Sequence, residues 1–224
     1  MVYHSYKHYF DTARDSSTRY KAYKKASRHF RFSLSTLNKY LDTVQIKMCN
    51  QDWSSINFNH VTSVTMRKNK LAFTNKTKQG AQRSNTQDRV DCATNLTNHV
   101  EEAIKNSNKS DDDPTKTEAK VHGKRAGVYE LVQDALKVHP THDKNRDEYK
   151  IVNLQWKDNS SQNHPLGNMI PMADTSGSMT SDKCIPLFNS IGLSIRLSEI
   201  VAPEFRHRVM TFSHNPTWVK LNDC

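Results

Sequence analysis

The chain has 224 residues, 33 Lys and Arg against 23 Asp and Glu, a formal charge of +10 and an isoelectric point near 9.4. Apolar residues make up 35%, mean hydropathy is −0.83, and 6 Gly and 7 Pro are present. These figures exclude a collagen-like or Pro/Gly-rich low-complexity chain, and no run approaches the roughly 18 uncharged residues of a membrane span. No membrane partner is therefore expected. The positive surplus suits nucleic acid, anionic lipid or acidic protein, or is simply an unspecific solvated surface. Cys49, Cys92, Cys184 and Cys224 are scattered, with no Cys-x-x-Cys pair and no histidine at zinc-ligand spacing. The first residues lack the apolar stretch of a signal peptide, so reduced thiols and a cytoplasmic location are expected.

The first predicted element is an amphipathic helix. Tyr20, Tyr23, Phe30, Leu34, Leu37, Leu41, Val44 and Met48 recur at helical spacings and define one face. Lys21, Lys24, Lys25, Arg28 and Arg31 lie between them and must largely point outward. From Lys7 to Arg31 there are eight basic residues against the acids Asp11 and Asp15, with Tyr9, Phe10, Tyr20, Tyr23, Phe30 and Phe32 interleaved. Two readings stand: a core face backed by solvated lysines and arginines, or a phosphate-pairing surface with stacking rings.

Trp53, Ile56, Phe58, Val61 and Val64 have no single period and predict a loop packed on that helix. Short helices are expected over Met66–Phe73 and Val90–Lys105. Residues 106–120 carry Asp111-Asp112-Asp113-Pro114 and only Ala119 as an apolar anchor, which predicts an exposed or disordered loop. A helix over Gly127–Val138 stops before Pro140. His139 and His142, across that proline, read as a surface turn. Asp147–Lys157 predicts a short helix or strand, and 159–167 a polar hinge.

Beyond the hinge, 168–173 predicts a short buried strand running into Asp174-Thr175-Ser176-Gly177-Ser178. A helix follows, capped by Ser181 or Asp182 with Pro186 in its first turn and Leu187, Phe188, Ile191, Ile195 and Ile200 as its apolar residues. Arg208–Phe212 and Trp218–Leu221 then predict an antiparallel strand pair. Asp-x-Ser-x-Ser at the carboxyl end of a strand sits where open α/β sheets place ligands. Its spacing aims a carboxylate and two hydroxyls at one point, with Gly177 easing the turn. An all-oxygen set suits Mg²⁺, which keeps several waters, so a partner's carboxylate can complete the shell. The same residues also read as a plain turn. An aspartic-protease loop would need a second copy in an all-β setting, and neither a Gly-x-Ser-x-Gly elbow nor a P-loop is present.

The run MIPMADTSGSM, the helix after it and RVMTFSHNPTW resemble the opening of a von Willebrand factor A (vWA) domain with its metal-ion-dependent adhesion site. The resemblance implies metal ligation by Asp174, Ser176 and Ser178. The segment LSTLNKYLDTVQIKMCNQDWSSINFNHVTSVTMRKNKLAF, the LQW at Leu154–Trp156 and the vWA start resemble the DUF2828 family of plants, fungi and giant viruses. For a viral member, the host cytoplasm or the virion is the implied location. The order of helices and then a vWA start is similar to the Ro ribonucleoprotein architecture, by analogy only.

The expected organisation is therefore α+β and α-rich. A helical basic region spans 1–158, and the first, incomplete part of a doubly wound vWA domain spans 168–224. Three strands and one helix fall short of the six or so strands such a sheet has, so a fragment, or another chain completing the sheet, is expected. The expected function is non-enzymatic, since no nucleophile–base pair or paired carboxylates occur. It would be Mg²⁺-dependent protein binding through Asp174, Ser176 and Ser178, the metal bridging to a partner carboxylate. The alternative is RNA binding through Lys21, Lys24, Lys25, Arg28 and Arg31.

Overall fold

A computed structural model of the chain describes residues 15–110, 112–138, 146–161 and 163–221. Helices come first: α1 Ser16–Tyr40, α2 Val44–Cys49, α3 Ser63–Phe73, α4 Gln87–Ser107, α5 Val128–Val138 and α6 Asp147–Ser160. Then follow β1 Met172–Asp174, α7 Ser181–Ile200, β2 Arg208–Phe212 and β3 Trp218–Lys220. The result is α+β: many helices and one three-stranded mixed sheet. No helix among the described residues is long and apolar enough to cross a membrane. The chain forms two compact units, Met1–Ile56 and Asn57–Cys224.

In the first unit, α1 opens on a reciprocal cap. The Thr18 amide donates to Asp15 Oδ1 at 2.7 Å and the Asp15 amide to Thr18 Oγ1 at 3.1 Å, satisfying two helix-end donors. The single helical face expected from Tyr20 to Met48 is interrupted. α1 ends at Tyr40, Asp42 takes a left-handed φ of 45°, and α2 starts at Val44. An aspartate tolerates that conformation better than most residues, and Lys47 pairs with it at 2.9 Å. The face is also less buried than its period predicts. Tyr20, Tyr23, Leu34, Leu37 and Leu41 are exposed, Phe30 and Met48 half-buried, and Val44 buried. Periodicity reports which residues share a side of a helix, not whether anything covers them. Lys7 to Asp11 lie outside the described residues.

In the second unit, the expected loop of Phe58 and Val61 is a 3₁₀ turn, Phe58–His60, with Phe58 edge-on to Phe73 at 5.6 Å between ring centres. α4 buries Cys92, Leu96, Val100 and Ala103, one stripe at helical spacing. Burial pushes the Cys92 thiol up to about 11, so it stays protonated and inert. The segment 106–120, expected to be exposed or disordered, is held at both ends. The Asn106 amide donates to the carbonyls of Thr117 and Ala119, each at 3.0 Å, and Asn106 and Ala119 are buried. Asp113 Oδ1 accepts from the Thr115 amide at 2.8 Å, while Asp111 lies outside the described residues, as do His139 and His142.

Asp147–Ser160 is a helix, and its polar residues hold an irregular segment in place. Gln155 donates to the His122 carbonyl at 3.0 Å and to Ser63 O at 3.3 Å. Asp158 accepts the amides of Gly123 and Lys124 at 2.7 and 3.1 Å, and Asn159 donates to the carbonyls of Gly123 and Ala126 at 3.1 and 3.2 Å. Positions i, i+3 and i+4 share a helix face, so one side of α6 satisfies backbone groups that no ladder reaches. Burial opposes ionisation of Asp158, yet the Gly123 amide and Lys120 hold its carboxyl below the ordinary value.

α7 is the hub of the C-terminal part. It packs on α5 and on both β1 and β2, and β1 and β2 pair in parallel, Met172 opposite Met210 and Asp174 opposite Phe212. A parallel pair requires such a crossover. β2 and β3 are antiparallel, as expected. The strand expected from residue 168 begins only at Met172, and Met169 and Ile170 are exposed. Pro171 has no N–H for the ladder and restricts the residue before it. The expected caps of α7 also differ. Its N-cap is Thr180, and Asp182, Lys183 and Cys184 take left-handed φ values. The side chains α7 buries most are not the expected apolar set but Ser194, Arg196 and Ser198, while Leu193 and Leu197 are exposed.

Two glycines make close approaches possible. A Cβ on Gly192 would overlap Val128 Cγ1 and lie 2.8 Å from Val132 Cγ2, and one on Gly123 would overlap the Gln155 carbonyl. Gly123→Ala should cost about 2 kcal/mol or more, because a helix backbone cannot step aside; Gly192→Leu should cost roughly 3 kcal/mol through overpacking. Urea midpoints measure both, and wild-type midpoints in either variant would remove these glycines as packing constraints.

Candidate metal-binding loop and basic helix face

Two sets of residues singled out by their chemistry lie in different units. The first is built at the carboxyl end of β1. Ala173 is buried while Asp174 is half-buried, so the pleat places the carboxylate at the strand's exit. The Thr175 amide donates to Phe212 O at 3.1 Å, extending the parallel pairing one residue past Asp174. Asp174 Oδ1 accepts the Ser176 amide at 2.9 Å, a local turn bond of the kind short acidic side chains favour. Ser176 Oγ and Ser178 Oγ are 3.1 Å apart. A 3₁₀ turn, Gly177–Thr180, then closes with Thr180 Oγ1 donating to Gly177 O at 2.7 Å and leads into α7.

The three predicted ligands are therefore brought together, and the same bonds make the string an ordinary turn. The Ser176 hydroxyl and amide hold the Asp174 carboxyl below its usual value, so it is anionic at neutral pH. The donors are one carboxylate and two hydroxyls, all oxygen, which fits a hard cation that keeps water in its shell. Among the described residues, no group of three or more His, Cys, Asp or Glu side chains could hold a metal. A cation on this loop would thus depend on hydroxyls, water and outside oxygens.

Gly177 does not have the role expected of it. Its φ is not positive, and a Cβ there would meet nothing within 4 Å; the turn is set by the Asp174 and Thr180 bonds.

The second set lies on α1. Lys21, Lys24, Lys25, Arg28 and Arg31 are all exposed. At 100° per residue they fall within about 120° of arc, opposite Tyr23, Phe30, Leu34 and Leu37. α1 contains no acidic residue. Lys24 Nζ lies 4.7 Å from the centre of the Tyr20 ring, a cation–π contact, and Arg31 Nε donates to Ser27 O at 3.2 Å. The arrangement is a one-sided positive stripe with ring edges beside it.

Sequence reading missed the contact that places α7 against α6. Arg196 stacks over the Trp156 ring at 3.8 Å and donates to Trp156 O at 3.1 Å, while Trp156 Nε1 donates to Glu199 at 2.7 Å. Arg196 and Glu199 flanking a helix interior were the available signal, beside the LQW already singled out. Leu154 and Gln155 of that string are buried.

Gly177→Ala should change stability by less than about 0.5 kcal/mol, checked by thermal unfolding; a larger loss would mean that the turn needs glycine after all.

Residues 168–224 match a model described as a domain of unknown function, DUF7788. A protein of Acanthamoeba polyphaga mimivirus, described as uncharacterized, is 27% identical over 197 residues, covering 87% of this chain. The chain spans 30% of that relative's length. No solved structure matches. Residues 2–162, well over half of the 224, match the model of the domain of unknown function DUF2828, and the chain belongs to that family.

Proposed function

We propose that this chain is a non-enzymatic interaction protein whose Asp174–Ser178 loop opens a vWA-type domain and captures a partner carboxylate through Mg²⁺. The observation that carries the reading is the convergence of Asp174, Ser176 and Ser178 at the carboxyl end of a strand that enters a β–α–β crossover. Ligands of open α/β sheets gather there. Asp174 would hold the ion by charge and the two serines by their hydroxyl oxygens. When bound, Mg²⁺ supplies a polarising charge that an acidic side chain of a partner protein can share. Calorimetry with magnesium chloride should show binding that Asp174→Ala removes, and capture of partners from extract should be lost with EDTA. Equal heats for the wild type and Asp174→Ala would overturn the reading.

A second reading has its own observation. The exposed stripe of Lys21, Lys24, Lys25, Arg28 and Arg31 on an acid-free helix suits an RNA backbone, and Tyr20 offers stacking surface beside it. This would be an RNA-binding protein of Ro-like organisation, with the helical region as the electrostatic surface. The Arg28→Ala/Arg31→Ala variant should weaken RNA binding and reduce its log–log salt slope by roughly one unit per lost contact. An unchanged slope in anisotropy titrations would count against it. The two readings are compatible, since they use different residues.

A further inference from the structure

The second unit contains a cavity of about 250 Å³ that neither reading uses. Its lining includes Lys70 of α3, Thr77 and Lys78 of the hairpin that follows, Lys137 near the end of α5, and Arg146 and Glu148 at the start of α6. The hairpin is locally built: the Thr77 amide donates to Ala81 O at 2.8 Å, Lys76 bridges Gln82, and Gly80 supplies the positive φ of 87°.

The cations here are short of carboxylates. Asp134 serves three cations: its Oδ2 accepts from Arg67 Nε at 2.7 Å with Lys70 at 3.8 Å, and its Oδ1 accepts from Lys137 Nζ at 3.3 Å. Glu148 is shared, loosely, by Lys76 at 3.9 Å and Arg146 at 4.0 Å. Arg67 also pairs with Glu130. Among the described residues the cluster holds Arg67, Lys70, Lys76, Lys78, Lys137 and Arg146 against Glu130, Asp134 and Glu148, an excess of three positive charges.

A second observation points the same way. Thr77 Oγ1 is buried and has no hydrogen-bond partner among the described residues, although it belongs to a residue that lines the cavity. Leaving a buried hydroxyl unsatisfied is costly. Burial also pushes the Lys70 ammonium down from its usual value, against the attraction of Asp134. An anion seated on the lysine side would relieve both, while Glu148 Oε2, an acceptor on the same lining and also buried without a hydrogen-bond partner among the described residues, would not be served by it.

We infer that this cavity binds the phosphate group of a small phosphate monoester, held by Lys70, Lys78, Lys137 and Arg146 with the Thr77 hydroxyl donating to one oxygen. A dianion matches the charge excess, and the guanidinium of Arg146 suits phosphate geometry. The volume lies just below the range for drug-sized ligands, roughly 300–1,000 Å³, so a phosphate with a small organic part fits. Glu148 sits on the same wall and would turn away an anion from its own side, leaving the lysine side as the seat.

The test uses the full chain in low-salt buffer, with inorganic phosphate, adenosine 5′-monophosphate and a short single-stranded RNA as probes. Calorimetry should show binding of phosphate and of the nucleotide. Lys78→Ala/Lys137→Ala should weaken it by roughly tenfold or more, and Lys157→Ala should leave it unchanged. Both lysines of the double variant are at the solvent edge, and Thr77→Val, which keeps shape but removes the donor, should weaken binding independently. RNA binding that falls in the double variant, with no signal from the small probes, would place the phosphate on a polynucleotide backbone. Absence of binding to all three probes, or equal binding by wild type and double variant, overturns the inference.

Discussion

The approach of α7 to α5 at Gly192 is the constraint on which the C-terminal part of the second unit depends. α7 must lie against the sheet to connect two parallel strands, and it must also meet the helical layer. Both contacts fall on α7, beyond its left-handed turn at 182–184. A side chain at 192 would hold α5 away through Val128 and Val132. The absence of a side chain at Gly192 lets the helices come close, and Arg196, one turn further along α7, adds a crosslink to α6 by stacking on Trp156. The position of β1, and with it the Asp174–Ser178 loop, follows from that packing.

Polar side chains fix the irregular segments. Gln155, Asp158 and Asn159 act on the backbone of residues 122–126, and Asn106 does the same for 117–119. Each net hydrogen bond contributes only about 1 kcal/mol, but an unmet buried donor costs more. These contacts therefore decide which arrangement of the irregular segments is tolerated more than they add to stability. A chain with 35% apolar residues has good reason to order its loops in this way.

The chemistry divides by place. An oxygen-donor loop sits at the end of a strand, a cavity rich in lysine lies among α3, α5 and α6, and a basic stripe runs along α1. Part of the overall charge of +10 is thus gathered at two separate locations. Positive stripe and positive cavity both suit anions, but differently: the stripe is exposed and extended, as a polymer backbone requires, and the cavity is small.

Much was legible in the sequence. The helices near 66–73, 90–105 and 128–138 follow from apolar spacing, and the strand, loop, helix, strand, turn, strand order of the last third follows from its residue types. So does the convergence of Asp174, Ser176 and Ser178, because i, i+2 and i+4 on a tight loop are local neighbours. The interruption at Asp42, the late start of β1 at Met172, the left-handed turn at 182–184 and the loop stapled by Asn106 were not legible. Nor were the Gly192 contact, the Trp156–Arg196 stack and the basic cavity. The first three are local backbone features that apolar spacing does not report; the staple, the contact, the stack and the cavity join residues apart in the chain, and such partnerships exist only once the chain has closed. Sequence alone therefore determined the local elements and the chemistry of one loop, whose causes act within a few residues. Tertiary packing alone decided where charges meet, which glycines are indispensable and which side chains a helix hides.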